Sequence, residues 1–476
     1  MYYRVAGRCV SDFAAFSSGH KGEVVMRRNA GMCGRIGVAL LVLFVLSLAY
    51  VPALFAGGAA EEETEVVTLT VWDAYTEEED GAVVEEINRL FNEKYPDVEI
   101  VIARNPMTSG DINDLLRPAL GADRGPDVVN VETGIPFIGP IVRDGHFMEL
   151  TDVWEERGWN ENLFPLAREV PNYSGRIFGV GTEVEYVPIY YNVDMWNELG
   201  LGDEPQTMEE LEEILAYVKE NHPDVIPMAY AARDWWPQSN FMTSMLWAHL
   251  PPEDSLALNE GRGSWDRPEV REAVQRFLDW HAAGYFIPES QAVSYGEGAA
   301  MFYQEEALMH PTGNWMVRSY RREIGDRFEV GSFTWPAPAG RTGATVAFVG
   351  DGWAINAGTE HPEIAVDYLD FLVNDPDVAR MWYEDMGIIP PLVRGLPDDI
   401  DIDPLLAEVL REFEAGDIEL VPGISMMAPP RVMTFMETNA ARLMTGDLDV
   451  DSWIEEFERL WEEGREAGMT KSSFTW

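Results

Sequence analysis

The sequence predicts an α/β protein of two lobes joined by three crossing segments. Three observations lead there. Strands and helices alternate through the first part of the chain after residue 65. Three later segments fit neither an amphipathic helix nor the continuation of one sheet. The 476 residues, 46% of them hydrophobic, are enough for two cores.

The elements follow in order. "VVTLTVW" (66–72) alternates and is rich in β-formers, so it reads as a strand. Val83, Val84, Ile87, Leu90 and Phe91 recur at helical spacing. "VEIVIA" (98–103) is a second strand, "DINDLLRPAL" a helix disturbed at Pro118, and "PDVVNVE" (126–132) a third strand. That order predicts a parallel sheet with helices on both faces, which binds ligands at the carboxyl ends of its strands. Trp72, Asp73 and Tyr75 follow the first strand; Glu132, Thr133 and Gly134 follow the third.

"GRIFGVGTEVEYVPIYYN" (175–192), β-rich and broken by glycines, is the first expected crossing. Thr207 and Glu210 then form a capping box for a helix whose apolar side is Met208, Leu211, Leu215 and Val218. "VIPMAY" leads to Trp235, Trp236 and a helix from Phe241 to Leu250; another runs from about Pro268 to His281. "ALMHPTGNWMV" reads as strand, turn and helix start. "FEVGSFTWPAPAG", ending in Pro336 and Pro338, is the second crossing. Asn374–Pro376, with Asp375 as N-cap and Pro376 at the first helical position, is the third. The chain closes with helices near Arg431–Met444 and Val450–Gly464, the latter spacing Trp453, Ile454, Phe457, Leu460 and Trp461 along one face. The expected lobes are 61–180 with 337–375, and 181–336 with 376–476.

The formal net charge of −49 argues against nucleic acid, which needs a basic footprint, and against anionic membrane surfaces. The acidity reads as a solvated, self-repelling surface suited to salt. Arg27, Arg28 and Arg35, the apolar run to Ala56 and the small residues to Ala60 read as a secretory signal in residues 1–60. Met26 or Met32 is the better start, and an uncleaved anchor is the competing reading. Export places the protein in the periplasm or outside the cell. Cys9 and Cys33 both precede that run, so disulfides, thiol catalysis and Cys-based zinc drop out of the mature chain. The seven histidines are scattered without HExxH spacing, so no metal and no cofactor are expected.

The residues also carry a resemblance. "LTVWDAY", "NEKYPDVEI", "GADRGPDVVNVETG", "YSGRIFGVGTEVEYVPIYYNVDMWNELGL", "PQTMEELEEILAYVK", "EGAAMFYQEEALMHPTGNW" and "GDGWAINAGTEHPEIAVDYLDFLVNDPDVARMWYEDMGIIPP" resemble, in order and spacing, the extracellular solute-binding proteins of bacterial ABC importers. That family includes maltose-binding protein. The resemblance implies the type II periplasmic-binding-protein fold: two α/β lobes, three hinge crossings and a ligand closed between them. It implies a carbohydrate ligand, ABC permease subunits in the membrane as partners, and a monomer. Relatives bind glycerol phosphates, polyamines or metals.

A sugar offers hydroxyls and flat C–H faces, so its site needs paired polar groups and aromatic rings. Trp315 in "TGNWMV" matches a stacking position of the family; Asn314 beside it binds or caps. Asp73 and Trp72 lie near a family contact, with turn formation and core packing as their alternatives. Glu132 accepts hydroxyls or caps a helix. Glu185 matches an acidic contact, and Tyr186 is expected to pair with it. Of the adjacent Trp235 and Trp236, Trp236 is assigned to the cleft. Arg431 matches a cleft position, although Met433 stands where an aromatic is expected. In "VGDGWAIN" a turn is expected: Gly350 admits close approach and supplies N–H donors, Asp351 accepts hydroxyl protons, and Trp353 stacks or packs. Two other functions remain open. A glycoside hydrolase or lyase needs two opposed carboxylates, but the eight strand–helix units of a barrel are not seen. A cation binder would use Glu132, Glu183, Glu185 and Asp351 with aromatic rings.

Overall fold

The computed structural model of the protein describes residues 66–95, 99–397, 399–415 and 420–475. The expected signal segment, Cys9 and Cys33 lie outside the described residues. Strands β1 (Val66–Asp73), β2 (Glu99–Pro106) and β3 (Val128–Glu132) stand where the alternation predicts them, and β4 (Asn172–Tyr173) and β5 (Arg176–Ile177) make a short hairpin. Then follow β6 (Val180–Gly181), β7 (Val184–Tyr186), β8 (Ile189–Asn192), β9 (Ile226–Met228), β10 (Ala307–Pro311) and β11 (Val330–Phe333). The last are β12 (Thr345–Val349), β13 (Asp351–Ile355) and β14 (Leu420–Val421).

Each lobe has its own sheet. The first runs β2-β1-β3-β13-β6, with β1, β2 and β3 parallel and β13 antiparallel to β3 and β6. β3 is buried at all but its last residue because helices cover both faces of a central strand, and its one polar core residue, Asn130, donates to Gly352 O. Helix Glu78–Glu93 buries Val84, Ile87 and Phe91 on that sheet, and Phe91 meets Tyr368 edge-on at 5.2 Å. The second sheet runs β11-β8-β10-β9. Helix Trp235–His249 is buried nearly all round at the centre of that lobe, with Trp247, Trp265, Trp280 and Trp461 in the same core. Most tryptophans therefore fill cores, which the composition alone did not require.

A third sheet, β14-β12-β7, lies between the two. The chain from Val180 to Asn192 visits all three sheets in turn through β6, β7 and β8. It returns through β12 and β13, with only Gly350 between them. The expected second crossing at Pro336 and Pro338 is therefore displaced. The prolines end β11, but the loop beyond still packs on the second lobe: the Met208 amide donates to Ala337 O (3.0 Å) and the Ala344 amide to Trp247 O (2.9 Å). The third crossing also comes later than Asn374–Pro376. Asp375 does cap helix Pro376–Glu384, accepting from the Asp377 and Val378 amides, but Val378, Ala379 and Trp382 remain in the first lobe's core. The return follows that helix, where the Val184 amide donates to Ile389 O at 2.8 Å.

The end of the chain departs further from the expected lobe boundaries. Helix Val450–Glu466 packs in the second core. Beyond it, Met469 and Phe474 join Ile138 and Tyr173 in a first-lobe cluster, with Phe474 4.7 Å from the Tyr173 ring. Arg143 donates to Ala467 O (3.1 Å), Gly468 O (2.5 Å) and Thr475 O (3.2 Å). Lys471 donates to the carbonyls of Glu169, Val170 and Asn172. The Ser472 amide holds Glu260 O of the second lobe at 3.0 Å. The tail is thus bonded to both lobes.

Candidate ligand-binding site

Strand register assembles a group of carboxylates where the crossings meet the first lobe. Antiparallel β3 and β13 set Glu132 opposite Asp351, and β7 and β12 set Glu185 opposite Phe348. Alternation along β7 buries Val184 and turns Glu183 and Glu185 to the other side. Gly350 is glycine for space: a Cβ there would lie 2.0 Å from Glu185 Oε2. Its amide already donates to Glu183 O (3.0 Å), so the expected free donor is spoken for.

Each of these four carboxylates keeps a little accessible surface, yet each is packed among enough atoms to be strongly desolvated. None has an ion-pair partner among the described residues. Burial pushes Glu132 up to about 8, reinforced by the Asp351 charge and opposed by Asn113. Burial pushes Glu183 up to about 8, reinforced by Asp351 and Asp80, while the Tyr75 hydroxyl opposes it by donating to Oε1 at 2.9 Å. Glu185 is raised well above the usual range by burial and then by Glu183, Asp351 and Glu132, and burial takes Asp351 to about 6. Like charges sharing a desolvated site favour the protonated forms.

Helix starts in the second lobe supply an aromatic group. Trp236 lies 4.3 Å from Tyr295 and 5.7 Å from Trp315, ring centre to ring centre. The Trp315 indole donates to the Tyr295 hydroxyl (2.8 Å), which is paired with Thr312 Oγ1 (2.7 Å). Tyr295 opens helix Tyr295–Tyr303 behind the Ser294–Glu297 capping box, and its amide donates to Asp234, which precedes Trp235. Gly313 leaves room for the Trp315 ring, which a Cβ would meet at 1.9 Å. The two groups are linked through Asn314, the neighbour of Trp315, which bonds the β7 backbone on either side of Glu185.

Of the expected residues, Glu132, Glu185 and Asp351 fall in the first group, and Trp236 and Trp315 in the second. The others have different work. Asp73 is 0% exposed and forked onto Arg104 by two 2.7 Å bonds, while accepting from the Tyr75 amide. It fixes the turn that aims Tyr75 at Glu183 and is closed to ligand. Trp72 is half-buried against the first-lobe cluster. Asn314 reads β7 as a peptide would, accepting from the Tyr186 amide (2.9 Å) and donating to Val184 O (3.1 Å). It holds the strand that carries Glu185. Tyr186 is buried on the opposite side of β7 from Glu185, with its hydroxyl toward Tyr190, so the two do not pair. Trp353 is fully buried edge-on to Tyr368. Arg431 is exposed and pairs with Glu463 of the next helix rather than with either group. "VGDGWAIN" is thus the crossing itself rather than a turn. Tyr295 was missed; its capping box was a visible helix start, but nothing local tied it to Trp236.

A carboxylate group on the crossings and an aromatic group on the second lobe can hold a ligand by hydroxyl or ammonium donation on one side and ring contact on the other. Among the described residues no cluster has the geometry of a metal site, and no helix is long and apolar enough to cross a membrane.

Two sheet-based lobes bridged by three crossings, with a tail that returns to the first lobe, make this a two-lobed type II binding protein. Residues 73–379 match the model of the bacterial extracellular solute-binding proteins, and the chain belongs to that family. It is 25% identical over 321 residues to the maltotriose-binding protein of Pyrococcus abyssi, an alignment covering 65% of this chain and 64% of that protein. The chain thus spans just under two thirds of that relative's length. It is 21% identical over 386 residues to the multiple sugar-binding protein of Streptococcus mutans, covering 78% of this chain and 84% of the relative. A solved chitin oligosaccharide binding protein superposes with a TM-score of 0.73 at 20% identity, covering 84% of this chain and 98% of that one.

Proposed function

We propose that the protein binds a mono- or oligosaccharide between the lobes without chemistry and delivers it, as a monomer, to ABC permease subunits in the membrane. The observation that carries this is the Trp236–Tyr295–Trp315 group, joined through Asn314 to the strand that carries Glu185. Flat rings cover C–H faces, and carboxylates with raised proton affinity accept or donate to hydroxyls in either protonation state. The sugar-binding names of the relatives support the reading. The test is calorimetry against a panel of neutral sugars, amino sugars and polyamines, with turnover followed for each glycoside. One sugar bound by the parent and lost in Trp315→Ala supports the proposal. Hydrolysis abolished by Glu132→Gln or Asp351→Asn would replace it with an enzyme.

One feature favours a second reading: four carboxylates share the site with no cation among the described residues. A polyamine would neutralise them. Its affinity would rise with pH as the carboxylates ionise, whereas a neutral sugar's would not.

A further inference from the structure

We propose that Arg318 is a latch between the lobes, holding the site closed through an ion pair that touches no ligand. Arg318 belongs to helix Val317–Glu323, whose Val317 and Tyr320 lie in a second-lobe core with Tyr190 and Phe302. Its guanidinium reaches Asp80 and, at 3.3 Å, Glu79, both in the first turn of first-lobe helix Glu78–Glu93. The Arg318 and Asp80 side chains are 23% and 18% exposed, so the pair is partly withdrawn from solvent, where charges are less screened than on an open surface.

The latch is wired to both sides of the site. Arg318 stands one helical turn beyond Trp315, and it packs beside Gly387, where the chain is returning to the second lobe. Asp80 lies five residues beyond Tyr75, the partner of Glu183, and its charge acts on Glu183 directly. Opening the lobes must separate Arg318 from Asp80 and leave Asp80 facing Glu183 without its counter-ion. Closure therefore carries an electrostatic gain that opening loses, and part of any ligand's apparent affinity is set by it. This proposal depends on the lobes closing over a ligand, but not on which ligand that is.

The test is small-angle scattering from the ligand-free full chain. Raising salt from roughly 0.05 M to 1 M screens the pair as well as the general self-repulsion shared by every variant, so the parent's radius of gyration should rise relative to those of Arg318→Met and Asp80→Asn at the same salt. Both variants should already give the larger radius at low salt, and their difference from the parent should close as salt rises. The exchanged pair Arg318→Asp with Asp80→Arg should restore the parent's radius and its salt response. Circular dichroism and the melting temperature separate opening from misfolding; if Arg318→Met fails to fold, Asp80→Asn and the salt titration decide. A parent radius equal to that of both single variants at low and high salt alike overturns the latch. Ligand-free scattering is blind to the cargo, so that failure leaves the proposed function standing. A panel in which nothing binds leaves the latch standing.

Discussion

The two sides of the site are built by opposite means. The carboxylate side stands on strands, where ladder bonds fix Glu132 against Asp351 and a glycine makes room for Glu185. The aromatic side stands on helix starts, where side chains fix one another: Trp315 on Tyr295, Tyr295 on Thr312 and Asp234. Strands can hold groups that repel each other because the backbone, not the side chains, sets their spacing. Helix starts can hold rings whose contacts are mutually favourable. One side is under electrostatic tension and the other is relaxed.

Changes to the scaffold should break this contrast most. Asp73→Ala leaves Arg104 without its counter-charge and frees the Tyr75 turn, so we expect a loss of about 3–5 kcal/mol in chemical denaturation, as for breaking a withdrawn ion pair. Trp315→Ala removes the centre of the aromatic side. It should cost about 2 kcal/mol or more of binding in calorimetry, and some stability as well, since Trp315 packs against both second-lobe clusters and holds Tyr295. Asn314→Ala should lower stability by about 1–3 kcal/mol by leaving the Tyr186 amide and Val184 carbonyl unpaired, and weaken binding through displacement of Glu185.

The tension itself is read by pH. Carboxylates raised in the folded state contribute stability that is fully present below their unfolded values, about 4. It is lost as pH rises through the folded values, about 6 for Asp351 and about 8 for Glu132 and Glu183. The ligand-free melting temperature should therefore fall between about pH 4 and pH 8, and Glu132→Gln should flatten that fall. A profile rising over this window would contradict the described arrangement. The smallest effect is expected at Arg431→Ala, an exposed pair worth under about 1 kcal/mol. A large loss of binding there would return Arg431 to the site.

Sequence periodicity reached the first sheet and the carboxyl ends of its strands, because alternation and helix spacing are local. Glu132 came the same way, as the end of the third strand, whereas Glu185 and Asp351 came through the family resemblance. The sequence left Trp353 between stacking and packing; the residue shares the Asp351 face of β13 but lies two residues deeper, packed edge-on to Tyr368. It left Asp73 between ligand contact and turn formation, because Arg104, two residues before Asp73's register partner Pro106, comes within reach only once β1 and β2 pair. Crossings were misplaced where proline was taken as the boundary: Pro336 and Pro376 end or start elements, but apolar contacts decide which lobe those elements join.

The tail held by Arg143 and Lys471 adds a consequence of its own. It leaves the second-lobe helix and is held on the first lobe by hydrogen bonds and ring contacts, without entering a sheet. Such a brace can open locally while both cores stay intact. The width to which the jaws part is then expected to vary with temperature well below melting, as the contacts of residues 467–475 loosen.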